Sequence, residues 1–521
     1  MATIRDIFEK SVNRNPDKIF FISKDKRKTY KDFFATVNRV ANGFLSLGIR
    51  KGDKIAILLP NCLEFPYSWL AANVIGAVMV PVNTRFVAEE IKYILNHSEA
   101  RALVTAERHL EGIEAIRKDL AHLKMIFTID ENNEIDALPY ATLLDNPTEL
   151  KGTDISGEDL AVILYTSGTT GNPKGCMASH DYFVHLAKVQ ADLFQLSEKD
   201  RVLTAQPFYY MDPQWNTLMV MTRNATLVLA EKFSTSTFWD DIRYYNISCF
   251  YCIGSMTSFL YNMPPSDQDK IHNLRMVQTS GISPHIHEKW EKRFNVPVYE
   301  IYASTETTAD IAVRRDMDRK VGTKCIGRPL EYREIKIVDE NGIEVSDGSV
   351  GEILVKRGRG MMQGYYKDPG STEKAFRGGW FHSGDLAYKD DDGDYHFVGR
   401  KKDIIRRGGE NVSAAAVEHV IVNHPKVMDA AVIPVPDNIR GEEIKAYMVL
   451  KEGGTATYEE IAEYCEENLG AFKVPRYYEF RNSLPKTPSE RVQKRKLIEE
   501  KEDLTEGCYD RFADPGKRTK E

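Results

Sequence analysis

The stretch Tyr165-Thr-Ser-Gly-Thr-Thr-Gly-Asn-Pro-Lys-Gly175 concentrates groups that bind anions. Gly168 and Gly171 let the backbone approach a ligand closely and take positive φ. Thr166, Ser167, Thr169 and Thr170 add hydroxyl donors, and Lys174 brings a mobile positive charge. A hydroxyl-rich turn is commonly only a turn. A run of six Ser/Thr/Gly residues leading into Asn-Pro-Lys-Gly is much rarer, and it reads as a nucleotide-phosphate loop. The spacing is not that of a Walker A loop, and no Ser or Thr follows the lysine.

Other positions gain meaning beside such a loop. Val298-Tyr-Glu-Ile-Tyr-Ala-Ser-Thr-Glu-Thr307 starts as a strand and ends in hydroxyls and a carboxylate. There Tyr302 suits stacking on a base, and Glu300 suits accepting a hydrogen bond from an exocyclic amine. Thr305 suits a phosphate oxygen, and Glu306 suits Mg²⁺, which prefers carboxylate and phosphate oxygens. The simpler alternative is a strand end followed by a capped helix start. Ser383-Gly-Asp385 sets a carboxylate on a tight turn, where it can face the two hydroxyls of a ribose. Gly399-Arg400 offers a second ribose or phosphate partner, although basic residues at a domain edge are usually just solvated. Cys249-Phe-Tyr-Cys252 has metal-ligand spacing. It lies in an apolar strand-like run without a second pair, which argues against zinc.

The elements that must position these residues alternate in type. Leu160–Leu164 reads as a strand buried on both faces before the loop, and Met177–Leu196 reads as a helix after it. Upstream, Thr3–Asn13, Phe65–Ile75 and Ala88–Asn96 read as helices, and Lys54–Leu59, Ala77–Val82 and Ala102–Thr105 as strands. Strand signals resume at Ala225–Ala230 and Ile247–Cys252. The pattern predicts an α/β fold, a large N-terminal domain of mostly parallel sheets covered by helices. From about 320 to 400 the texture changes to short strands and Gly/Asp turns, read as a β-rich subdomain. A composition break at Gly399-Arg-Lys-Lys-Asp403 divides residues 1–401 from a small α+β C-terminal domain, 402–521. Residues from Thr505 onward are polar and expected to fray.

Composition limits the function classes. The chain has 521 residues, 42% hydrophobic and 28% charged, and a net charge of −7, which argues against nucleic-acid binding. Seven scattered cysteines fit reduced thiols and a cytoplasmic setting. The N-terminus lacks the apolar core of a signal peptide. The longest largely apolar stretch, Leu70–Val82, has 13 residues and is too short to span a membrane.

Together the loop, Tyr302-x-x-Thr-Glu306, Gly384-Asp385 and Gly399-Arg400-x-Lys402-Asp403 closely resemble the adenylate-forming superfamily of acyl-CoA synthetases, luciferases and peptide-synthetase adenylation domains. The resemblance runs from about residue 5 to about residue 500 and follows the family's order. It implies a two-step reaction: a carboxylate attacks the α-phosphate of Mg-ATP to give an acyl-adenylate and pyrophosphate, and the thiol of coenzyme A then displaces AMP. It further implies that Lys174 and its neighbouring hydroxyls hold the outer phosphates and that Glu306 binds Mg²⁺. Asp385 and Arg400 would hold the ribose. Gly281-Ile282-Ser283 would line the adenine opposite Tyr302, beside Glu300 and Ile301. Lys402 matches the hinge of a C-terminal domain that swings between half-reactions, and Gly408, Gly409 and Glu410 match a segment lining the pantetheine tunnel.

The acyl pocket implied by the resemblance involves Tyr210, Met211, Asp212, Trp215, Gly254, Ser280 and Ala303. Asp212 beside aromatic rings suits a quaternary ammonium through charge and cation–π contact, and this segment resembles carnitine/crotonobetaine-CoA ligases. The alternatives are an Asp212 that caps a helix over core rings, and a medium-chain fatty or aromatic acid as substrate. One departure stands out: the family's motif ends Pro-Lys-Thr-x-x-Gly-Lys, whereas this chain reads Pro485-Lys-Thr-Pro-Ser-Glu-Arg491. Arg491 thus takes the place of the lysine that bridges carboxylate and α-phosphate, which opens a further reading as an adenylate-binding protein with weakened adenylation. A peptide-synthetase loading module is disfavoured because no carrier motif follows. The partners expected are a small carboxylic acid, ATP and CoA, with a homodimer compatible. Lys174→Ala is expected to weaken ATP binding or slow adenylation at least about tenfold, since a charge-assisted contact contributes roughly 1.5–3 kcal/mol. Unchanged ATP affinity and rate would remove the loop from this role.

Overall fold

A computed structural model describes residues 1–130, 136–150, 152–166, 173–407, 410–437, 440–487 and 491–513. Three sheets organise them. In the first, Met125–Thr128, Ala100–Thr105, Lys54–Leu58, Val78–Pro81 and Leu160–Thr166 lie side by side and parallel. These strands are short unbroken apolar runs, as sheets covered on both faces require. Helices such as Glu64–Val74 and Ala88–Ser98 follow individual strands, so their connections cross over and keep the neighbours parallel.

The second sheet is larger. Its parallel part runs from Ile19–Ser23 through Thr226–Leu229, Arg201–Thr204, Cys249–Ile253 and Met276–Ser280 to Val298–Ser304. Beyond Val298–Ser304 the same sheet continues as an antiparallel wing made by strands between Thr308 and Arg400. The β-rich texture expected from about 320 is therefore a continuation of the main sheet. The third sheet is built from residues 404–510 and is covered by the helices Ala414–Val422 and Tyr458–Asn468. Its apolar faces form clusters of their own, one around Ile405, Val432 and Tyr478 and one around Ile433 and Tyr447.

Two expectations are corrected. The phosphate loop does not lead into a helix: Leu160–Thr166 folds back on the strand Lys174–Ser179, with Thr166 opposite Lys174. Antiparallel pairing with Leu160–Thr166 makes Lys174-Gly-Cys-Met-Ala-Ser179 a strand, and Ser179 then caps the helix His180–Leu193 by accepting from the Tyr182 N–H. The segment from Thr505 is also packed as far as Phe512. Tyr509–Asp510 pairs with Tyr477 and Tyr478, Arg511 bonds Glu466, and Leu504 and Phe512 are each 7% exposed. Polar composition hid these few anchors.

Cys249 and Cys252 lie buried along one strand, and burial pushes each thiol up to about 12, so neither offers a thiolate. No described helix is long and apolar enough to cross a membrane.

Truncation after Asp503 is expected to destabilise the third sheet by about 3 kcal/mol or more, from roughly 1.5–3 kcal/mol for each buried Leu504 and Phe512 side chain. Thermal unfolding of the truncated and full chains checks this; identical transitions would show that the terminal segment does not hold the sheet.

Candidate functional site

The strand Val298–Ser304 does not end in a helix. It turns through Thr305, Glu306 and Thr307 into the antiparallel strand Thr308–Ala312. Thr308 has φ 66°, a left-handed conformation that costs a β-branched residue roughly 1–3 kcal/mol. Polar contacts offset that cost. The Thr307 N–H donates to Ser304 Oγ at 3.1 Å, the Thr307 hydroxyl donates to Asp310, and Thr308 Oγ1 donates to the Thr307 carbonyl. Arg333 completes the support. Its Nε donates to Asp310 Oδ1 at 2.7 Å, and Nη2 donates to the Thr307 carbonyl and, at 3.0 Å, to Thr308 Oγ1. Both side chains of the Asp310–Arg333 pair are 0% exposed.

The turn holds Thr305 and Glu306 at a cleft. Tyr182 donates its hydroxyl to the Thr305 carbonyl at 2.8 Å, and the Met362 N–H donates to the Glu306 carbonyl at 2.8 Å. Glu306 Oε1 accepts from the Tyr365 hydroxyl at 3.0 Å. Facing it, Lys174 Nζ donates to Ser371 Oγ at 2.7 Å and stands 5.2 Å from the centre of the Tyr365 ring. Thr166 Oγ1 reaches the Lys174 carbonyl only at 3.5 Å. Ser167, Gly168, Thr169, Thr170 and Gly171 lie outside the described residues.

A second group lies along the same strand. Tyr302 is buried and donates its hydroxyl to Asp385 Oδ2 at 2.8 Å, while Arg400 Nε lies 3.4 Å from Asp385 Oδ1. The three sequence motifs thus converge. Tyr302 is anchored through its hydroxyl, and burial together with the Asp385 charge pushes its pKa well up. Glu300 is buried, with the Ile282 N–H donating to Oε2 at 3.4 Å, and burial pushes its carboxyl up to about 8. Gly281, at φ 86°, presses against Gly254, where an added Cβ would meet the Gly281 carbonyl oxygen at 2.0 Å. Only glycine fits at 254. Ile301 is buried, Ala303 and Ser283 are half-buried, and Ser280 Oγ bonds the Tyr251 hydroxyl at 2.9 Å.

The helix Met211–Arg223 carries the candidate acyl pocket. Its N-cap, Tyr210, makes no side-chain cap bond, and Asp212 is not the cap. Asp212 Oδ1 instead accepts from Trp215 Nε1 at 3.3 Å. Trp215 is 2% exposed, so its ring backs Asp212 from the core and is not an open pocket wall. Met211 Sδ lies 2.8 Å from the Tyr182 hydroxyl oxygen, whose one proton goes to the Thr305 carbonyl, and Tyr210 packs edge-on to Tyr209. Burial raises the Asp212 carboxyl to about 6, against the opposing pull of the Trp215 bond and the Arg491 charge.

Arg491 reaches this cleft from the C-terminal region. Its N–H donates to Thr487 Oγ1 at 3.1 Å and its carbonyl accepts from the Thr487 N–H at 2.7 Å. Its guanidinium is open to solvent within the cleft, yet flanking protein and the Arg400 charge lower its pKa, while Tyr251, Asp385 and Asp212 pull the other way. Lys494 points elsewhere, pairing with Glu418 at 2.7 Å. Lys402 sits in the single helical turn Lys401–Asp403, its side chain outside the description. Gly408 and Gly409 lie outside the described residues, as does the side chain of Glu410, which starts the strand Glu410–Ser413.

Sequence reasoning missed Asp310, Arg333, Tyr182, Tyr365 and Ser371. One signal was present, since Thr308-Ala-Asp-Ile-Ala-Val313 buries a lone carboxylate in an apolar strand that must find a cation. A different acidic group, Asp390, Asp392 and Asp394, has the spacing of a metal site. Lys320 Nζ fills it, at 2.6, 2.8 and 2.8 Å from the three carboxylates.

Comparison with known proteins follows this geometry. Residues 8–366 match the AMP-binding enzyme profile, and residues 416–491 match the AMP-binding enzyme C-terminal domain. A crotonobetaine/carnitine–CoA ligase of Proteus mirabilis (strain HI4320) is 38% identical over 487 residues, covering 91% of this chain and 93% of that protein. The anthranilate CoA ligase AuaEII in complex with anthranoyl-AMP superposes with a TM-score of 0.89 at 26% identity, covering 96% of this chain and 97% of that one. ATP-bound MatB from Rhodopseudomonas palustris does so with a TM-score of 0.87 at 26% identity, covering 97% and 100%.

The position of Arg491 yields a test. Arg491→Ala is expected to slow acyl-adenylate formation by about a hundredfold, the order lost with one preorganised donor. Reaction of supplied acyl-adenylate with CoA should barely change, and Arg491→Lys should keep the first rate. Pre-steady-state rates of each half-reaction decide; equal adenylation in the alanine variant and wild type would assign Arg491 no part in it.

Proposed function

The chain belongs to the AMP-binding enzyme family and is an acyl-CoA ligase, and from that premise we propose that its acid carries a fixed positive charge, as carnitine and crotonobetaine do. The observation that carries this reading is Asp212, a half-buried carboxylate with Trp215 Nε1 at 3.3 Å and the Tyr251 ring and the Arg491 charge close by. With its pKa near 6, Asp212 is mostly ionised at neutral pH. A partly desolvated carboxylate flanked by rings attracts a quaternary ammonium by charge and by the ring faces. A neutral acyl chain would bring no opposite charge to this partly desolvated carboxylate, which disfavours it. The similarity to a crotonobetaine/carnitine–CoA ligase supports the same class.

In the first half-reaction the acid's carboxylate attacks the α-phosphate of ATP, the bond to pyrophosphate breaks, and an acyl-adenylate forms. In the second, the thiol of CoA attacks the acyl carbon, loses its proton, and AMP leaves. Arg491 offsets repulsion between the two anions in the first step. Lys174 and the loop hydroxyls take charge growing on the departing pyrophosphate, a task of positioning and neutralisation. Asp385 accepts from the ribose hydroxyls and is itself set by Tyr302 and Arg400. Glu300 and the Gly281–Ser283 segment border the adenine.

Glu306 fits Mg²⁺ by donor chemistry. It is a carboxylate at the cleft with Oε1 fixed by Tyr365, and among the described residues Oε2 has no hydrogen-bond partner. Mg²⁺ bound there with ATP supplies neutralisation of phosphate charge. The division into residues 1–401 and 402–521, turning about Lys402, belongs to the same proposal, since the loop holding Arg491 is needed only for adenylation.

Asp212→Asn is expected to raise KM about tenfold for a betaine-type acid and to spare neutral acids of similar size, the loss of one partly desolvated charge pair. In the wild type, KM for the betaine acid should rise as pH falls through about 6, because protonation removes the carboxylate charge, while KM for neutral acids stays level. A panel in which betaine acids are never turned over would sink the substrate assignment and leave the ligase standing.

A further inference from the structure

The segment Met362-Gln-Gly-Tyr-Tyr366 is a brace that has no place in the functions assigned above. It is stitched to the strand that carries Lys174: the Gln363 N–H donates to the Met177 carbonyl at 2.8 Å, the Met177 N–H donates to the Gly364 carbonyl at 2.9 Å, and the Tyr366 N–H donates to the Gly175 carbonyl at 2.8 Å. It is also stitched to the Glu306 turn through the Met362 N–H. The Tyr365 N–H donates to Thr372 Oγ1 at 2.9 Å, which anchors the backbone that carries the ring. That ring stands between two opposite charges, with Lys174 Nζ 5.2 Å from its centre and Glu306 Oε1 3.0 Å from its hydroxyl.

A lysine and a glutamate on either side of a cleft tend to close on each other, and a direct pair would spend both charges before a nucleotide arrives. Here they form no ion pair; each is satisfied through Tyr365, with Ser371 as a second acceptor for the ammonium. An ionised carboxylate can only accept, so at 3.0 Å the Tyr365 hydroxyl is the donor. We propose that Tyr365 is a positioning residue that holds Glu306 and Lys174 apart and pre-aimed for a metal–nucleotide complex, its hydroxyl acting on the carboxylate and its ring on the ammonium. The inference rests on reading Lys174 and Glu306 as partners of phosphate and Mg²⁺.

The two halves of the side chain separate by mutation. Tyr365→Phe keeps the ring and removes only the bond to Glu306, whereas Tyr365→Leu removes both. Calorimetric titration of ATP into the full-length protein, with and without Mg²⁺, reads the effect, and thermal unfolding confirms that each variant folds. Tyr365→Phe is expected to raise the Mg²⁺ concentration for half-maximal ATP binding about fivefold and to leave Mg²⁺-free affinity within about twofold. Tyr365→Leu should also weaken Mg²⁺-free ATP binding about fivefold, as loss of a ring–ammonium contact implies. An unchanged Mg²⁺ requirement in Tyr365→Phe, or equal weakening with and without Mg²⁺, would overturn the proposal, and this variant decides alone if the leucine variant fails to fold. Glu306→Gln and Lys174→Ala serve as references. If neither alters Mg²⁺–ATP binding, the underlying assignment falls and takes this one with it; if they do and Tyr365→Phe does not, only the tyrosine's role is lost.

Discussion

The cleft depends on one buried cation. Arg333 sends its guanidinium into the core, where it meets Asp310, the Thr307 carbonyl, the Thr308 hydroxyl and, at 2.7 Å, the Arg359 carbonyl. Those partners belong to three pieces of chain: the strand Thr308–Ala312, the turn bearing Glu306, and the segment leading to Tyr365. Arg359 in turn grips Asp181 on the helix after the phosphate hairpin, at 2.8 and 2.5 Å. A planar donor with five N–H groups can join so many acceptors at fixed angles; an ammonium cannot. Removing either partner of a buried pair costs roughly 3–5 kcal/mol because the other charge is stranded. Here the same loss would release the left-handed Thr308 and with it Glu306. Fold stability and site geometry therefore share one interaction.

Around that anchor the cleft balances charge by separation. Asp385 is shared by Tyr302 and Arg400, Asp212 by Trp215 and the field of Arg491, and Glu306 by Tyr365. Among the described residues neither Glu306 nor Asp212 has an ion-pair partner within 4 Å, so each keeps capacity for a ligand. Burial works against ionisation at Glu300 and Asp212, whose carboxyls rise to about 8 and about 6. Glu300 is thus mostly protonated at neutral pH and can donate as well as accept towards a base edge, a role that an ionised carboxylate cannot fill.

The C-terminal region meets this cleft through small contacts. His285 and His419 stack with centroids 4.4 Å apart and planes 8° from parallel, and Ser283 Oγ lies 3.4 Å from His419 Nδ1. Burial lowers both imidazoles, so the stacked pair is neutral at ordinary pH. Contacts of this size can part without a large penalty. Arg491 lies beside the bridge of Lys486 with Val492 and is held through its N–H on Thr487 Oγ1.

Much of this was legible in the chain itself. The apolar runs at Lys54–Leu59 and Leu160–Leu164 and the helical pattern at Ala88–Asn96 fixed the α/β class, because burial on one or both faces leaves a period in the sequence. The motifs at Tyr302–Glu306, Gly384-Asp385 and Gly399-Arg400 named the site because each needs particular donors at short spacing. Tertiary structure decided the rest. Whether Lys174-Gly-Cys-Met-Ala-Ser179 became helix or strand turned on the pairing edge offered by Leu160–Thr166, which local propensity does not contain. That Asp310 would find Arg333, that Tyr365 would stand between Lys174 and Glu306, and that Asp212 would lean on Trp215 were settled by contacts mostly tens to hundreds of residues apart in the chain. Spacing along a sequence carries information about neighbours on one element; a charge buried by distant elements takes its partner, and its pKa, from the packing alone.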